Sequence, residues 1–348
     1  MNSQEAKHAR TSVDSEEAGN KKKKLSPKRI LIGIVVGLIT LVMAVVIAFV
    51  AYMRIAYMPF YDEATPVFET PGINSGFIPQ DIDYMEGYGY WLFSGYEGED
   101  SPSPLWKRSQ DGNASRVEVE EPDGSRYSDH GSGVTSVDDK VLLTTEGGYL
   151  VLSADEVAAA GDGDVVIAKS KVEVGFDPAF LNAQGGTLYT GVFHLEGPYD
   201  TPEKMHLTSP DGTENYAVMY AYPTDSSTSS GFAAVPSTVY SIPDKVQGVS
   251  IASGNRMVLS TSWGFSPSEL FVYDMGAMVE SGVYDVDGVD VPLMFCDPLT
   301  LVDTIQAPPM MEGIDQFDGR IFLSNEAASN KYIFGKLYGA GTVYFIKM

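Results

Sequence analysis

One uncharged hydrophobic run of 24 residues, Ile30 to Met53, divides the chain. About 20 apolar residues in a helix cross the ~30 Å hydrocarbon layer of a bilayer, and a helix satisfies every backbone polar group there. A cleaved secretory signal would have a shorter apolar region that ends in small residues. This run instead ends in bulky residues from Phe49 to Met53. We therefore predict an uncleaved transmembrane helix over residues 30–53.

The charges beside this run predict its orientation. Lys21–Lys24, Lys28 and Arg29 precede it, whereas Arg54 alone follows closely. Because Lys and Arg next to a span tend to stay in the cytoplasm, residues 1–29 are predicted to be a disordered cytoplasmic basic tail that can also contact anionic lipid. Residues 54–79 contain several prolines and are predicted to be an extended extracytoplasmic stalk.

From Gln80 onward the hydrophobic pattern is typical of many short strands. Runs of Val, Ile, Leu, Phe, Tyr and Thr alternate with Gly, Asp, Asn and Pro. Ser153–Ala160 is the exception and predicts a short helix, with Ser153 as its N-cap and two acidic residues in its first turn.

This region also repeats itself five times. Each copy has a polar opening, a short alternating strand, a tight turn, and a second, more hydrophobic strand. The copies open at Gln80, Ser132, Pro178, Gln247 and Glu312. Four antiparallel strands repeated radially form a β-propeller. We therefore predict an all-β propeller over residues 80–348 with five blades, the last of which is closed by Ala64–Thr70. Six or seven blades are the alternatives if the long third and fourth copies hide another.

Two of these copies resemble known sequences. The segments 241–249 with 259–273, and 308–314 with 325–332, are similar to blades of secreted or membrane-anchored bacterial β-propeller proteins of uncharacterised activity. This resemblance implies the propeller fold. It implies no single activity, because propellers include hydrolases, lyases, lactonases and binding modules.

The charge composition restricts the partners that the predicted propeller can bind. The whole chain has a net charge of −24, but residues 1–29 hold eight basic and four acidic residues. The remainder, with 15 basic and 43 acidic residues, carries −28. Because affinity for nucleic acid depends on neutralising phosphates, nucleic acid is excluded as a partner. Neutral or cationic ligands suit such a surface better.

The single cysteine, Cys296, allows no intramolecular disulfide. Its apolar neighbours predict a small buried hydrophobe, with a reactive thiol as the alternative.

Familiar catalytic and metal-binding motifs are missing from the sequence. Residues 30–348 contain three histidines, His130, His194 and His206, and their spacing does not match a zinc site. We expect no cofactor and no metal, with Ca²⁺ as the one alternative. Asp285–Asp290 alternates carboxylates around a glycine like part of a calcium loop, but it lacks the glutamate that closes such a loop, and a hairpin turn explains it better.

The candidate site comes from the repeats, because the opening residues of all five inner strands converge at the mouth of the central channel. The predicted ligand-binding residues are Gln80, Asp81, Asp177, Gln247, Trp263 and Glu312. The ends of the second strands are expected at the opposite end of the channel or in the adjoining groove. They contribute Ser94, Glu146, His194, Trp263 and Glu326. Trp263 with Tyr88 and Tyr96 is either a sugar-binding platform or core packing.

Two functions are consistent with these residues. The first is a non-enzymatic binding module, anchored to a bacterial cell membrane by Ile30–Met53, that binds a cell-wall glycan or a surface protein. The second is a carbohydrate-active hydrolase or lyase in which Asp177 and Glu312 act as paired carboxylates, about 5–9 Å apart. A channel that is polar only because it holds water is the third interpretation of the same residues.

Overall fold

The computed structural model describes residues 26–98 and 101–348. Most of the predicted basic tail therefore lies outside the described residues. The chain divides into two compact units, one that ends at Ala48 and one that comprises Phe49–Met348.

Helix α1 (Pro27–Ala56) contains the predicted membrane span. It is exposed along most of its length and has a window of mean hydropathy 3.2, which makes it long and apolar enough to cross a membrane. Its bounds extend the predicted 30–53 segment by three residues at each end.

The rest of the described chain is mostly β-structure, with two further short α-helices, α2 (Met58–Glu63) and α3 (Ala154–Ala159), and three 3-10 helices at Glu203–Met205, Glu326–Ala328 and Asn330–Tyr338. In chain order the strands are β1 (Thr65–Glu69), β2 (Ile78–Met85), β3 (Tyr90–Tyr96), β4 (Leu105–Ser109), β5 (Ala114–Glu120), β6 (Val134–Val137), β7 (Lys140–Thr145), β8 (Gly148–Ser153), β9 (Val165–Ile167), β10 (Ser170–Glu173), β11 (Phe180–Gln184), β12 (Thr187–Gly191), β13 (Leu207–Thr208), β14 (Glu214–Asn215), β15 (Ala217–Pro223), β16 (Thr238–Ile242), β17 (Val246–Ala252), β18 (Arg256–Thr261), β19 (Ser268–Asp274), β20 (Val283–Val286), β21 (Val289–Phe295), β22 (Leu301–Ala307), β23 (Met311–Phe317), β24 (Arg320–Asn325) and β25 (Thr342–Lys347).

These strands form the five blades of a β-propeller, as predicted. From the inner strand outward, the blades are β2-β3-β4-β5, β6-β7-β8-β10, β11-β12-β15-β16, β17-β18-β19-β22 and β23-β24-β25-β1. Each inner strand packs beside the inner strand of the next blade, and β23 packs against β2, so the ring is closed. Strand β1 completes the fifth blade by pairing with β25, which confirms the predicted closure by residues 64–70.

Turn chemistry explains the inner hairpins. Asn255 (φ 60°) turns β17 into β18, and Asp318 (φ 51°) with Gly319 turns β23 into β24. Both the two-residue turn at Asp318–Gly319 and the three-residue turn that ends at Asn255 need this positive φ, which Gly, Asn and Asp tolerate best. The predicted helix is also confirmed as α3, where the Ser153 side chain accepts a hydrogen bond from the Glu156 backbone N–H.

The extra residues of the third and fourth copies form hairpins rather than another blade. Strands β20 and β21 form an antiparallel hairpin that extends the third blade, because β21 pairs in parallel with β16. Its turn lies in Asp285–Asp290, so this segment is a hairpin as one interpretation predicted. Cys296 follows β21, is 2% exposed, and has its Sγ 3.9 Å from the Met257 Sδ, which confirms a buried cysteine.

The segment predicted to be an extended stalk is folded instead. Phe60 in α2 is fully buried, with its ring centroid 5.8 Å from that of Tyr344 in β25. Tyr57 is also buried, and the Tyr61 hydroxyl donates a 2.7 Å hydrogen bond to the Tyr338 carbonyl oxygen. The prolines misled the prediction because the aromatic residues between them bury enough apolar surface to fix the segment on the propeller.

Candidate functional site at the mouth of the propeller

The polar residues along the inner strands tie neighbouring blades together. Asp81 in β2 accepts a 2.8 Å hydrogen bond from the Val134 backbone N–H at the start of β6. Two residues on, Asp83 accepts hydrogen bonds from the backbone N–H and the hydroxyl of Ser136, at 3.0 and 2.6 Å. Both carboxyl groups are buried. They therefore link the first blade to the second, rather than lining open water.

Asp315 in β23 completes this arrangement on the other side of the first blade. Its carboxylate accepts a 2.8 Å hydrogen bond from the Tyr84 backbone N–H and a 3.2 Å hydrogen bond from the Asn182 amide. Burial raises the pKa of Asp315 well above its usual range, and the nearby Asp83 carboxyl raises it further. Burial also raises the pKa of Asp83 to about 6. These carboxyl groups are hydrogen-bonded within the protein, and they connect the blades of the closed ring.

Strand pairing corrects the expected position of the second-strand ends. Because the inner hairpins are antiparallel, the end of each second strand lies beside the start of its inner strand. Tyr96 pairs with Ile78, Thr261 with Val246, and Asn325 with Met311. Placing these ends at the opposite end of the channel was therefore wrong. They share one end of the propeller with the inner-strand openings, and we call this end the mouth.

A pair of carboxyl groups lies at the mouth, where β23 starts and β24 ends. Glu312 is 3% exposed and accepts a 3.0 Å hydrogen bond from the Ser262 hydroxyl of the fourth blade. Glu326 is half-buried and accepts hydrogen bonds from the hydroxyls of Tyr96 and Tyr332, at 3.3 and 3.0 Å. Residues from three blades thus converge on this carboxyl pair.

The electrostatics of the pair favour the protonated form. Burial raises the pKa of Glu312 well above its usual range, and the neighbouring Glu326 carboxyl raises it further. Burial likewise raises the pKa of Glu326, although hydrogen bonds from Tyr332 and the charge of Lys331 act against that rise. Among residues 26–98 and 101–348, no ion pair within 4 Å neutralises either carboxylate.

One lysine and one histidine complete the surroundings of the pair. The Lys331 ammonium donates a 3.1 Å hydrogen bond to the Tyr96 hydroxyl and lies 5.3 Å from the centre of the Tyr332 ring. The His130 ring packs on the Tyr96 ring with centroids 4.4 Å apart. Packing against its neighbours desolvates the His130 ring and, with a smaller contribution from Lys331, lowers its pKa to about 4, although part of the residue is exposed. The mouth therefore combines the Glu312–Glu326 pair with tyrosine hydroxyls, one lysine and one histidine.

The structure brings some of the other predicted residues to this region and leaves others apart. Gln80 is buried, and its amide donates to the Pro79 carbonyl oxygen at 3.2 Å, while Gln247 is half-buried. Asp177 is exposed and accepts a 2.8 Å hydrogen bond from the Gly147 backbone N–H. It is Glu326, rather than Asp177, that interacts with the buried Glu312.

The three predicted platform aromatics have separate neighbours. Trp263 is 41% exposed and packs with Phe193 and Tyr199, at centroid distances of 5.9 and 5.5 Å. Tyr96 packs on His130, and the Tyr88 hydroxyl instead donates to Asp155 at 2.8 Å. Because Tyr88 follows the first inner strand, it lies at the end away from the mouth. A joint platform of these three rings is therefore wrong.

The other residues predicted at second-strand ends are Ser94, Glu146 and His194, and they lie among groups of the protein itself. Ser94 is fully buried. The backbone N–H of Glu146 donates to Asp129 at 2.8 Å. Nδ1 of His194 lies 3.0 Å from the Thr201 hydroxyl oxygen, and Nε2 of His206 lies 3.2 Å from the same atom. The two histidines are therefore neighbours in space, which their sequence spacing did not indicate.

Several residues of the site were missed from the sequence. Ser262 directly follows a second strand and was detectable by the same repeat rule that selected Trp263. Lys331 and Tyr332 lie between β24 and β25, outside the repeated inner hairpin, so the repeats gave no signal for them.

The solved structures named below resemble this chain only distantly, each with a TM-score under 0.5. No known protein family matches the sequence, and no curated protein matches it. The solved structures it resembles include the PQQ-bound form of an aldose sugar dehydrogenase from Streptomyces coelicolor, with 12% identity, a TM-score of 0.42, and coverage of 81% of this chain and 96% of that chain. They also include a gluconolactonase from Xanthomonas campestris, with 12% identity, a TM-score of 0.36, and coverage of 82% and 95%.

A third similar structure is hydrazine synthase from Kuenenia stuttgartiensis, with 8% identity and a TM-score of 0.33. The match covers 71% of this chain, which spans 55% of that longer chain. Identities this low leave the activity of the present protein to be argued from its own residues.

Proposed function

We propose that this protein is a membrane-anchored β-propeller that binds a cationic or hydroxyl-rich neutral ligand at its mouth. The observation that carries the proposal is the Glu312–Glu326 pair. The buried Glu312 carboxyl lies beside the half-buried Glu326 carboxyl where three blades meet, and neither has an ion-pair partner among the described residues. A ligand that supplies positive charge or hydroxyl donors would stabilise the ionised form of the pair.

The residues around the pair favour a ligand with apolar surface as well. Tyr96 and Tyr332 place half-buried aromatic rings beside Glu326, and each already donates its hydroxyl to that carboxylate. Aromatic rings next to hydrogen-bonding groups suit a sugar ring or an organic cation. A cell-wall glycan or a basic segment of a surface protein has this chemistry.

The proposed location is the outer face of a bacterial cell membrane, with the N-terminus in the cytoplasm. The basic residues Lys21–Lys24, Lys28 and Arg29 before α1 support this orientation, since such residues tend to stay in the cytoplasm. The strongly acidic composition after residue 29 supports a soluble propeller that does not bind nucleic acid.

An array of cell-wall glycans, polyamines and basic peptides, probed with the full chain in nanodiscs, tests the proposal. Each hit is then measured with Glu326→Gln and with Glu280→Gln, which changes an exposed glutamate on the loop after β19. We expect Glu326→Gln to weaken binding at least ~10-fold, equivalent to about 1.4 kcal/mol, and Glu280→Gln to leave it unchanged. An array without hits, or equal binding by both variants, would contradict the proposal.

The alternative is a carbohydrate-active hydrolase or lyase, and the placement of the buried Glu312 beside Glu326 is the observation that favours it. A protonated Glu312 beside Glu326 has the composition of an acid–base pair, whereas Asp177 is exposed and bonded to Gly147. Turnover of the array glycans by wild type and its loss in Glu312→Gln would support this alternative. Unchanged turnover in the variant would eliminate it.

A further inference from the structure

An exposed apolar surface lies at the mouth end of the propeller, and we call it the apolar rim. It consists of Phe265, Ile333 and Leu337, which are 71%, 76% and 38% exposed. Phe265 lies between β18 and β19, and the other two lie in the insertion after β24. Both segments follow second strands, which end at the mouth. Bulky apolar side chains that are this exposed in one region indicate an interaction surface.

A continuous series of aromatic contacts joins the rim to the end of α1. The Phe265 ring lies 4.8 Å from that of Phe334, which lies 6.4 Å from that of Tyr338. Tyr338 in turn lies 6.5 Å from Phe49, measured between ring centroids. Phe49 belongs to the propeller unit and also to the uncharged part of the helix, which ends before Arg54. The rim is therefore continuous with the residues where the helix would leave the bilayer.

The local charge agrees with an anionic lipid surface. Residues 330–338 contain Lys331 and Lys336 and no acidic residue, and residues 261–268 contain no charge. This composition stands out in a region that carries −28 overall. Lysines next to exposed apolar side chains are the combination found in segments that lie in the headgroup region of a membrane.

We propose that the apolar rim docks on the bilayer, so that the propeller rests on the membrane surface with its mouth at the headgroups. This inference rests on the membrane anchor of the proposed function. It also deepens that function, because the Tyr332 hydroxyl bonds to Glu326 while its ring lies 6.0 Å from Phe334 beneath the rim. The acidic pair and the rim are therefore neighbours. A ligand of the mouth would be recognised close to the membrane surface.

Fluorescence quenching by brominated lipid tests this docking. The full chain is reconstituted in nanodiscs of anionic lipid with an environment-sensitive fluorophore on Ile333→Cys. Native Cys296 is 2% exposed, so labelling is selective for the introduced thiol in the folded protein. Matched controls are Glu86→Cys, on the first inner hairpin turn at the other end of the propeller, and Val289→Cys, an exposed apolar position on the β20–β21 hairpin.

We expect the label at position 333 to shift to shorter wavelength and to be quenched several-fold more than either control, because docked apolar side chains enter the boundary of the headgroups and acyl chains. Adding Phe265→Ser and Leu337→Ser to the Ile333→Cys protein should reduce the quenching. Equal quenching at positions 333 and 86 in chains that co-elute with the discs would overturn the docking. Self-quenching of the label in detergent without quenching by lipid would also overturn it, in favour of a second copy of the chain on the rim.

The outcomes separate this inference from the proposed function. A chain that fails to co-elute with nanodiscs contradicts the membrane anchor itself. A chain that incorporates and binds ligand but is not quenched at position 333 retains the proposed function and loses the docking.

Discussion

Replacing Asp83 by Asn tests whether burial dominates the energetics of the central carboxyl groups. Asp83 is 4% exposed, and burial raises its pKa from 3.8 to about 6. The folded state therefore binds this proton more tightly than the unfolded state does. Proton binding by Asp83 therefore stabilises the folded state. This contribution is fully present below about pH 4 and is lost as the pH rises through about 6. The free energy of unfolding is therefore lower at pH 8 than at low pH by about 3 kcal/mol from this one group.

Asparagine keeps the shape of Asp83 and removes its charge. Its amide oxygen can still accept from the Ser136 N–H, and its amide N–H can donate to the Ser136 hydroxyl oxygen. We expect Asp83→Asn to raise the free energy of unfolding at pH 8 by up to about 3 kcal/mol, and to change it little at pH 4. The rise should flatten the pH dependence between pH 4 and 8.

Urea unfolding of the full chain in detergent micelles, followed by tryptophan fluorescence at pH 4, 5, 6 and 8, measures this effect. Asp303→Asn, at an exposed aspartate in β22, is the matched control and should change stability little at every pH. If Asp83→Asn is instead less stable than wild type at pH 8, the hydrogen bonds from Ser136 outweigh desolvation, and the reasoning from burial is refuted.

Two substitutions and one labelling experiment test the packing. Gly313→Ala should destabilise the fold by at least about 1–3 kcal/mol in the same urea assay, because its Cβ would lie 1.6 Å from the Asp81 Oδ1; wild-type stability would contradict the tight contact. Phe60→Ala should cost about 3–5 kcal/mol, since the ring is fully buried, whereas an extended stalk would give no change in thermal unfolding. Burial raises the pKa of the Cys296 thiol, so it should react with a thiol reagent only after denaturation; rapid reaction in the native state would show an accessible site.

Repeats and turn chemistry made the fold predictable from the sequence. The positive-φ residues Asn255 and Asp318 marked inner hairpins, and the alternation around them marked strands, so the blade number and the closing strand could both be inferred. The folded segment around Phe60 was missed because its burial depends on Tyr344, which lies almost 300 residues away in the chain. Local pattern carries no information about such a contact.

The candidate site was only partly predictable for a related reason. Glu312 and Glu326 were both identified from repeat position, but their proximity depends on the antiparallel pairing of β23 with β24. Asp81 was expected to face a ligand, yet it bonds to the Val134 N–H of the next blade. Residue type and repeat position did not distinguish an inter-blade hydrogen bond from a ligand contact, because both use carboxylates on the same strands.

Calorimetric titration of an array hit into the full chain in nanodiscs tests most directly whether the Glu312–Glu326 pair binds the ligand. Because the pKa values of both carboxyl groups are raised, a cationic ligand that favours their ionised form should release protons from the pair. We predict that the wild-type binding heat varies with the ionisation enthalpy of the buffer. Glu312→Gln should bind more weakly and release fewer protons. Equal affinity and a buffer-independent heat in both proteins would contradict binding at this site.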